Sequence, residues 1–248
     1  MGDLQTAKKA YLAILKRFPH DLTVLRELHT IFVELSELEP CASLLQGALD
    51  HYMKIMPSGP GDNLSGNGFT TRDLLLLADL YNVIGDYEHA IQNIRRGTRW
   101  LQGRADQKYW DLCEDDREYD MEGWPPRSNP TEGGAVQTGH YEMDVNMRHR
   151  LAVARIKMGD VEEGQLHANC VLAEDPLDYY VLFTEIADAY FERGMYSEAK
   201  PIYELLGTNA AVRVYSSVEY GSSADCNNRQ AAYTYCYRQL HVCVTSTS

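Results

Sequence analysis

The chain has no Cys-x-x-Cys pair, no Cys/His spacing suited to zinc, and no apolar run approaching about 18 residues. The first two absences remove a structural zinc site and the third removes a membrane-spanning helix. There is no basic excess either. The 23 Lys and Arg stand against 36 Asp and Glu, a formal net charge of −13 at pH 7. That balance opposes direct contact with a phosphate backbone, which needs clustered cations. It suits a basic or extended partner segment, and it also keeps a protein in solution. The glycine-rich stretch 57–69 lacks the Gly-Lys-Ser/Thr ending of a phosphate loop, and no Asp-x-Asp-x-Asp-Gly calcium pattern occurs. His149 and His167 read as exposed helix positions and His29 as a packed one, so no histidine stands out as a metal ligand. The expectation is a protein without catalytic residues, cofactor or metal. Cysteines at 41, 113, 170, 226, 236 and 243 follow no framework and suit a reducing compartment, with Cys41 and Cys170 as small core residues. The first residues do not read as a signal peptide, and none is expected. Met1-Gly2-Asp3-Leu4-Gln5-Thr6 fits a bare myristoylation pattern, but Gly2-Asp3 followed by Ala7 also fits a turn between helices.

What is present is a recurring spacing. Leu77-Ala78, Tyr81, Gly85-Asp86-Tyr87 and Ala90 return as Ile186-Ala187, Tyr190, Gly194-Met195-Tyr196 and Ala199. A weaker copy is Leu151-Ala152, Arg155, Gly159-Asp160-Val161 and Gly164, followed by Asp175-Pro176. Small residues let two helices approach, an aromatic fills the gap, and glycine ends the first helix. The spacing resembles the tetratricopeptide repeat, a helix–turn–helix of about 34 residues whose units stack because none buries its apolar face alone. The resulting expectation is an all-α tetratricopeptide-repeat superhelical solenoid with a loop insertion and a non-repeat tail.

The chain divides accordingly. Residues 2–56 read as degenerate helical repeats, with Ala7, Tyr11 and Ile14, then Leu25, Leu28, Phe32 and Leu35, then Ala42, Leu45, Leu49 and Tyr52 as apolar stripes. Residues 57–70 read as a flexible loop, because four glycines and two prolines fall within 57–69. A repeat occupies 71–104. Residues 105–140 form an acidic, partly disordered insertion, in which Asp111, Glu114, Asp115, Asp116, Glu118, Asp120 and Glu122 crowd together between Trp110 and Trp124. Repeats resume over 141–211. Residues 212–248 lose the helical period and read as an irregular tail, either a short strand or sequence foreign to the array. Such a tail leaves the face at Phe183, Ile186 and Tyr203 uncovered.

Three stretches resemble one family more specifically. They are the acidic segment Gln107-Lys108-Tyr109-Trp110-Asp111-Leu112-Cys113-Glu114-Asp115-Asp116-Arg117-Glu118-Tyr119-Asp120, the segment from Pro19 to Leu28, and the segment from Arg150 to Gly164. Each is similar to the large tetratricopeptide subunit of transcription factor IIIC, and the resemblance covers 2–211. The resemblance implies a fragment of a longer nuclear scaffold. In that family the repeats recruit transcription factor IIIB to RNA polymerase III genes such as transfer RNA genes, while other subunits carry most base recognition. A generic repeat adaptor is the alternative, but a carboxylate clamp for chaperone peptides needs Lys and Asn on adjacent repeats, and only Asn82 and Lys157 come near.

In such arrays the first helix of each pair lines a groove. The repeat frame places Arg26, Thr30, Asp79, Asn82, His149, Lys157, Thr184, Asp188 and Phe191 there, suited to an extended peptide or helix. The acidic insertion adds Trp110, Asp115, Asp116 and Trp124 as protein contacts, or else docks on its own repeats. The expected partners are other subunits of transcription factor IIIC and components of transcription factor IIIB.

Overall fold

The computed structural model describes the backbone of residues 2–61, 68–124, 127, 137–218, 234–235 and 238–245. The centre of the glycine-rich loop, Pro125, Pro126, Gly133, Gly134, Cys226 and Cys236 lie outside the described residues. Two compact units are formed, Met1–Arg150 and Leu151–Ser248. Among the described residues there is no strand.

The first unit contains α1 (Gly2–Arg17), α2 (Leu22–Glu34), α3 (Leu38–Ile55), α4 (Thr71–Ile84) and α5 (Tyr87–Leu101). Successive helices pack on one another in that order. Their inward stripes are those the helical period picks out. Leu25, Leu28, Phe32, Ala42, Leu45, Leu49, Leu74, Leu77, Ala78, Ala90 and Ile94 are all buried. Each buried Leu or Phe contributes about 1.5–3 kcal/mol by leaving water. In α1 the stripe is shifted: Ile14 is exposed and Leu15 is buried.

The second unit contains α7 (Val161–Val171), α8 (Tyr180–Glu192) and α9 (Tyr196–Val218), and α6 (Val145–Met158) runs into it from the first. Gly164 lies so close to α6 that a Cβ would come within 2.9 Å of the Ile156 backbone nitrogen. This is the close approach that the small position of the repeat serves.

One backbone device recurs at the end of each first helix. Gly85, Gly159 and Gly194 have φ of 90°, 104° and 73°. After them Asp86, Asp160 and Met195 donate their N–H groups back to the carbonyls of Tyr81, Arg155 and Tyr190. The left-handed residue satisfies carbonyls that the helix end would leave orphaned. In the degenerate pair α2–α3 the same turn is made by Ser36, φ 58°, with Glu37 donating to the Phe32 carbonyl. The chain is therefore an all-α protein of tetratricopeptide-type helix pairs.

Two expectations need correction. The stretch 212–218 continues α9, and 238–245 is also helical, so the described parts of 212–248 contain no strand. Phe183, Ile186 and Tyr203 are fully buried rather than uncovered. Part of that covering comes from the tail itself, because the Tyr235 hydroxyl donates to Asp188 Oδ1 at 2.7 Å and Cys243 is buried.

Candidate protein-binding surface and the docked acidic insertion

The glycine-rich loop is pinned at both ends. The Trp100 indole donates to the Met56 carbonyl at 2.7 Å, and Phe69 is buried edge-on against the Trp100 ring at 6.3 Å. Trp100 closes α5, a helix buried on most of its surface. Its polar residues Asn93, Arg95, Thr98 and Arg99 are all under 9% exposed. Buried cations need anions beside them, and the acidic insertion supplies these.

Residues 108–112 and 117–119 form two short 3₁₀ turns that lie against α5. Arg99 Nη2 binds Glu118 Oε2 at 2.8 Å, and its Nη1 binds Asp111 at 2.9 Å. Arg104 reaches the other Glu118 oxygen at 2.9 Å. Arg95 faces Asp116 at 3.4 Å and donates to the Trp110 carbonyl at 2.7 Å. Arg127 holds Asp120 at 2.7 Å, and Arg117 holds Asp115. Burial alone would lower the Arg99 pKa, but the bonds to Glu118 and Asp111 and their charges raise it above its ordinary value. Backbone contacts complete the dock. The Tyr119 hydroxyl donates to the Arg95 carbonyl, Arg148 donates to the Tyr119 carbonyl, and the N–H groups of Gly139 and Tyr141 donate to the carbonyls of Arg117 and Glu118. The side chain of Tyr141 stacks under Arg104 at 3.4 Å.

Of the two readings of the acidic run, an outward protein contact or a segment docked on its own repeats, these bonds belong to the second. Asp116 and Glu118 are fully buried, and Asp120 and Trp110 are each 3% exposed, so these three carboxylates and Trp110 are not the outward contacts of the first reading. Asp115 is half-buried, and its carboxyl is held below its ordinary range: burial raises it, but the Arg117 bond and the charges of Arg127 and Arg117 outweigh that. Trp124 is half-buried near the Arg148 guanidinium. The insertion turns outward different residues, Tyr109, Leu112 and Met121, exposed by 53%, 86% and 45%. Sequence reasoning missed them because it weighted tryptophans and charges.

The groove residues meet varied fates. Arg26 is half-buried and makes a bidentate bond to Asp73, with both distances 2.7 Å. Asp73 also caps α4 through Thr70. Its carboxyl is lowered because the Arg26 and Thr70 bonds outweigh the burial that would raise it. Thr30 is exposed. Asp79 accepts from Arg150 at 2.8 Å, and Asn82 donates to the Arg150 carbonyl at 3.1 Å. In the second unit Lys157 pairs with Glu192 at 2.8 Å, and Thr184 donates to the Tyr180 carbonyl. Asp188 accepts from the hydroxyls of Tyr203 and Tyr235, and Phe191 meets Tyr196 edge-on at 5.2 Å.

His149 is the clear correction. It was expected in an open groove, or on an exposed face, and is 1% exposed, with burial and then the Arg150 charge pulling its pKa down to about 3. The unfolded histidine titrates near 6.5, so between about pH 6.5 and pH 3 the unfolded chain binds a proton that the folded one refuses. Stability should fall with pH across that window, by about 2 kcal/mol on reaching pH 5. Urea denaturation at neutral pH and at about pH 5 checks this, and His149→Leu should reduce the difference by that amount.

No helix among the described residues is long and apolar enough to cross a membrane. No family model matches the chain. Over 192 residues it is 25% identical to transcription factor tau subunit sfc4 of Schizosaccharomyces pombe, an overlap covering 77% of this chain and 19% of that protein. Over 125 residues it is 28% identical to the transcription factor tau 131 kDa subunit of Saccharomyces cerevisiae, covering 50% of this chain and 12% of that one. A tetratricopeptide repeat protein from Parabacteroides merdae superposes with a TM-score of 0.49 at 16% identity, over 98% of this chain and 78% of that one. The chain spans less than a fifth of the length of the curated relatives it matches. It is a run of tetratricopeptide-type helix pairs similar in sequence to the tau subunits of transcription factor IIIC.

Proposed function

We propose that the chain is a protein-interaction scaffold of transcription factor IIIC that helps assemble the RNA polymerase III initiation machinery at transfer RNA genes, in the nucleus. The observation that carries this reading is the similarity to a tau subunit over 77% of the chain. The acidic balance and the helix pairs support a role in protein contact, without catalysis, cofactor or direct nucleic-acid binding. The partners in this reading are other subunits of the same factor and components of transcription factor IIIB.

The reading places contact on accessible residues. In the first unit these are Thr30 and the outward side of the insertion, where Tyr109 and Leu112 stand with the exposed carboxylates of Asp111, Glu114 and Glu122. Apolar anchors among carboxylates suit a basic amphipathic partner. In the second unit Lys157, Thr184, Asp188 and Phe191 remain the proposed groove contacts. The generic adaptor has less support, since Asn82, one of the two residues near a carboxylate clamp, is engaged with the Arg150 carbonyl.

The test is titration of the purified chain with the remaining transcription factor IIIC subunits and with transcription factor IIIB components. Leu112→Glu should weaken a partner by about tenfold, roughly 1.4 kcal/mol, without lowering the melting temperature. Unchanged binding removes the patch. Tight binding of the chain alone to a transfer RNA gene promoter at physiological salt contradicts the scaffold reading.

A further inference from the structure

A trough of about 410 Å³ opens in the second unit, lined by Gln165, Asn169 and Leu172 at one side and by Ser197, Glu198, Pro201, Ile202 and Leu205 at the other, with Tyr190 also lining it. The α7 residues recur at helical spacing, as do Ser197, Pro201 and Leu205 on α9. Two helices thus turn facing stripes toward one gap. The volume falls within the range of real ligand pockets and holds one or two large side chains.

The chemistry of the lining is uneven in a useful way. Leu172, Pro201, Ile202 and Leu205 give apolar walls, and Leu205 is 42% exposed. The charged group in the lining is Glu198. Beside it, Pro201 sits inside α9 and has no N–H to offer the Ser197 carbonyl one turn back. The Ser197 hydroxyl already donates to Glu198 at 2.6 Å. Burial, and after it the Glu198 charge, push the Tyr190 phenol up to about 12, so it stays a neutral hydroxyl in the lining. Among the described residues no Lys or Arg lines the trough. Arg155, Lys157 and Lys200 are engaged with Asp160, Glu192 and Glu204.

We infer that this trough docks a basic amphipathic segment of another protein, seating an apolar anchor against Leu172, Ile202 and Leu205 and a Lys or Arg against Glu198. Charge complementarity selects this occupant over an acidic or purely apolar one. The inference stands apart from the transcription factor IIIC reading, and failure of either leaves the other intact.

The probe is a displayed library of random helix-length peptides selected on the full chain. Binding is then compared on Glu198→Lys, Leu205→Asp and Asn169→Lys, each at a surface position and each first shown to melt like the wild type. The expected result is peptides carrying Lys or Arg one turn from Leu, Ile or Phe, weakened at least about tenfold on Glu198→Lys and Asn169→Lys and on Leu205→Asp. Selected peptides without a basic residue overturn the proposal, as does equal binding to all variants. It is also overturned if no peptide is selected and a cross-linker at Leu205→Cys captures another segment of the same chain.

Discussion

Replacing Arg99 with Met should destabilise the chain by about 3–5 kcal/mol, a range expected when one partner of a buried ion pair is removed. The substitution leaves Glu118, fully buried, with Arg104 as its remaining cation, and it strips Asp111 of its partner. Met fills most of the volume of the Arg stem, so the loss is electrostatic rather than a cavity. The double variant Arg99→Met with Glu118→Leu should recover only part of that loss, because it removes the uncompensated Glu118 charge but takes from Arg104 its carboxylate partner. Arg117→Met is the contrast. Its pair with Asp115 is about one-quarter exposed on both sides, and its removal should cost no more than about 1 kcal/mol. Denaturant titrations of the four proteins check the ordering. An Arg99→Met variant as stable as the wild type would mean that the acidic insertion does not dock on α5.

Ala90→Glu and Ala199→Glu should each cost about 2–4 kcal/mol, from overpacking together with burial of an unpaired carboxylate. Both alanines are fully buried at the equivalent repeat position, where the second helix meets the first. Ala90 lies on α5 against α4, and Ala199 on α9 against α8. Because they fall in different compact units, the two losses should add. Melts unaffected by either substitution would place these alanines on the surface and break the repeat frame.

The repeat frame was legible because it is written in residues whose physics is local. Ala78, Ala90, Ala187 and Ala199 are small where helices approach, and Gly85, Gly159 and Gly194 adopt positive φ where first helices end. Ser36 makes the same turn, but serine seldom adopts that conformation, so the degenerate pair around it carried no such marker. The acidic insertion was left open between outward contact and self-docking for a different reason. Its charges are dense, and dense charge ordinarily means solvent. Whether Asp116 and Glu118 are solvated depends on Arg95, Arg99 and Arg104, which the fold brings across from another element. Local composition cannot report a pairing of that kind. His149 was misplaced for the same cause: the repeat frame assigns it a helix face, but neighbouring elements decide whether that face is covered. The tail lacks repeat spacing in 212–218, yet α9 continues through it.

Affinity purification of the endogenous full-length gene product, with identification of its stoichiometric partners, tests the central claim most directly. The account expects the other subunits of transcription factor IIIC to co-purify, with transcription factor IIIB components retained at low salt. Recovery of chaperones or an unrelated assembly in stoichiometric amounts, with no subunit of that factor, would contradict it.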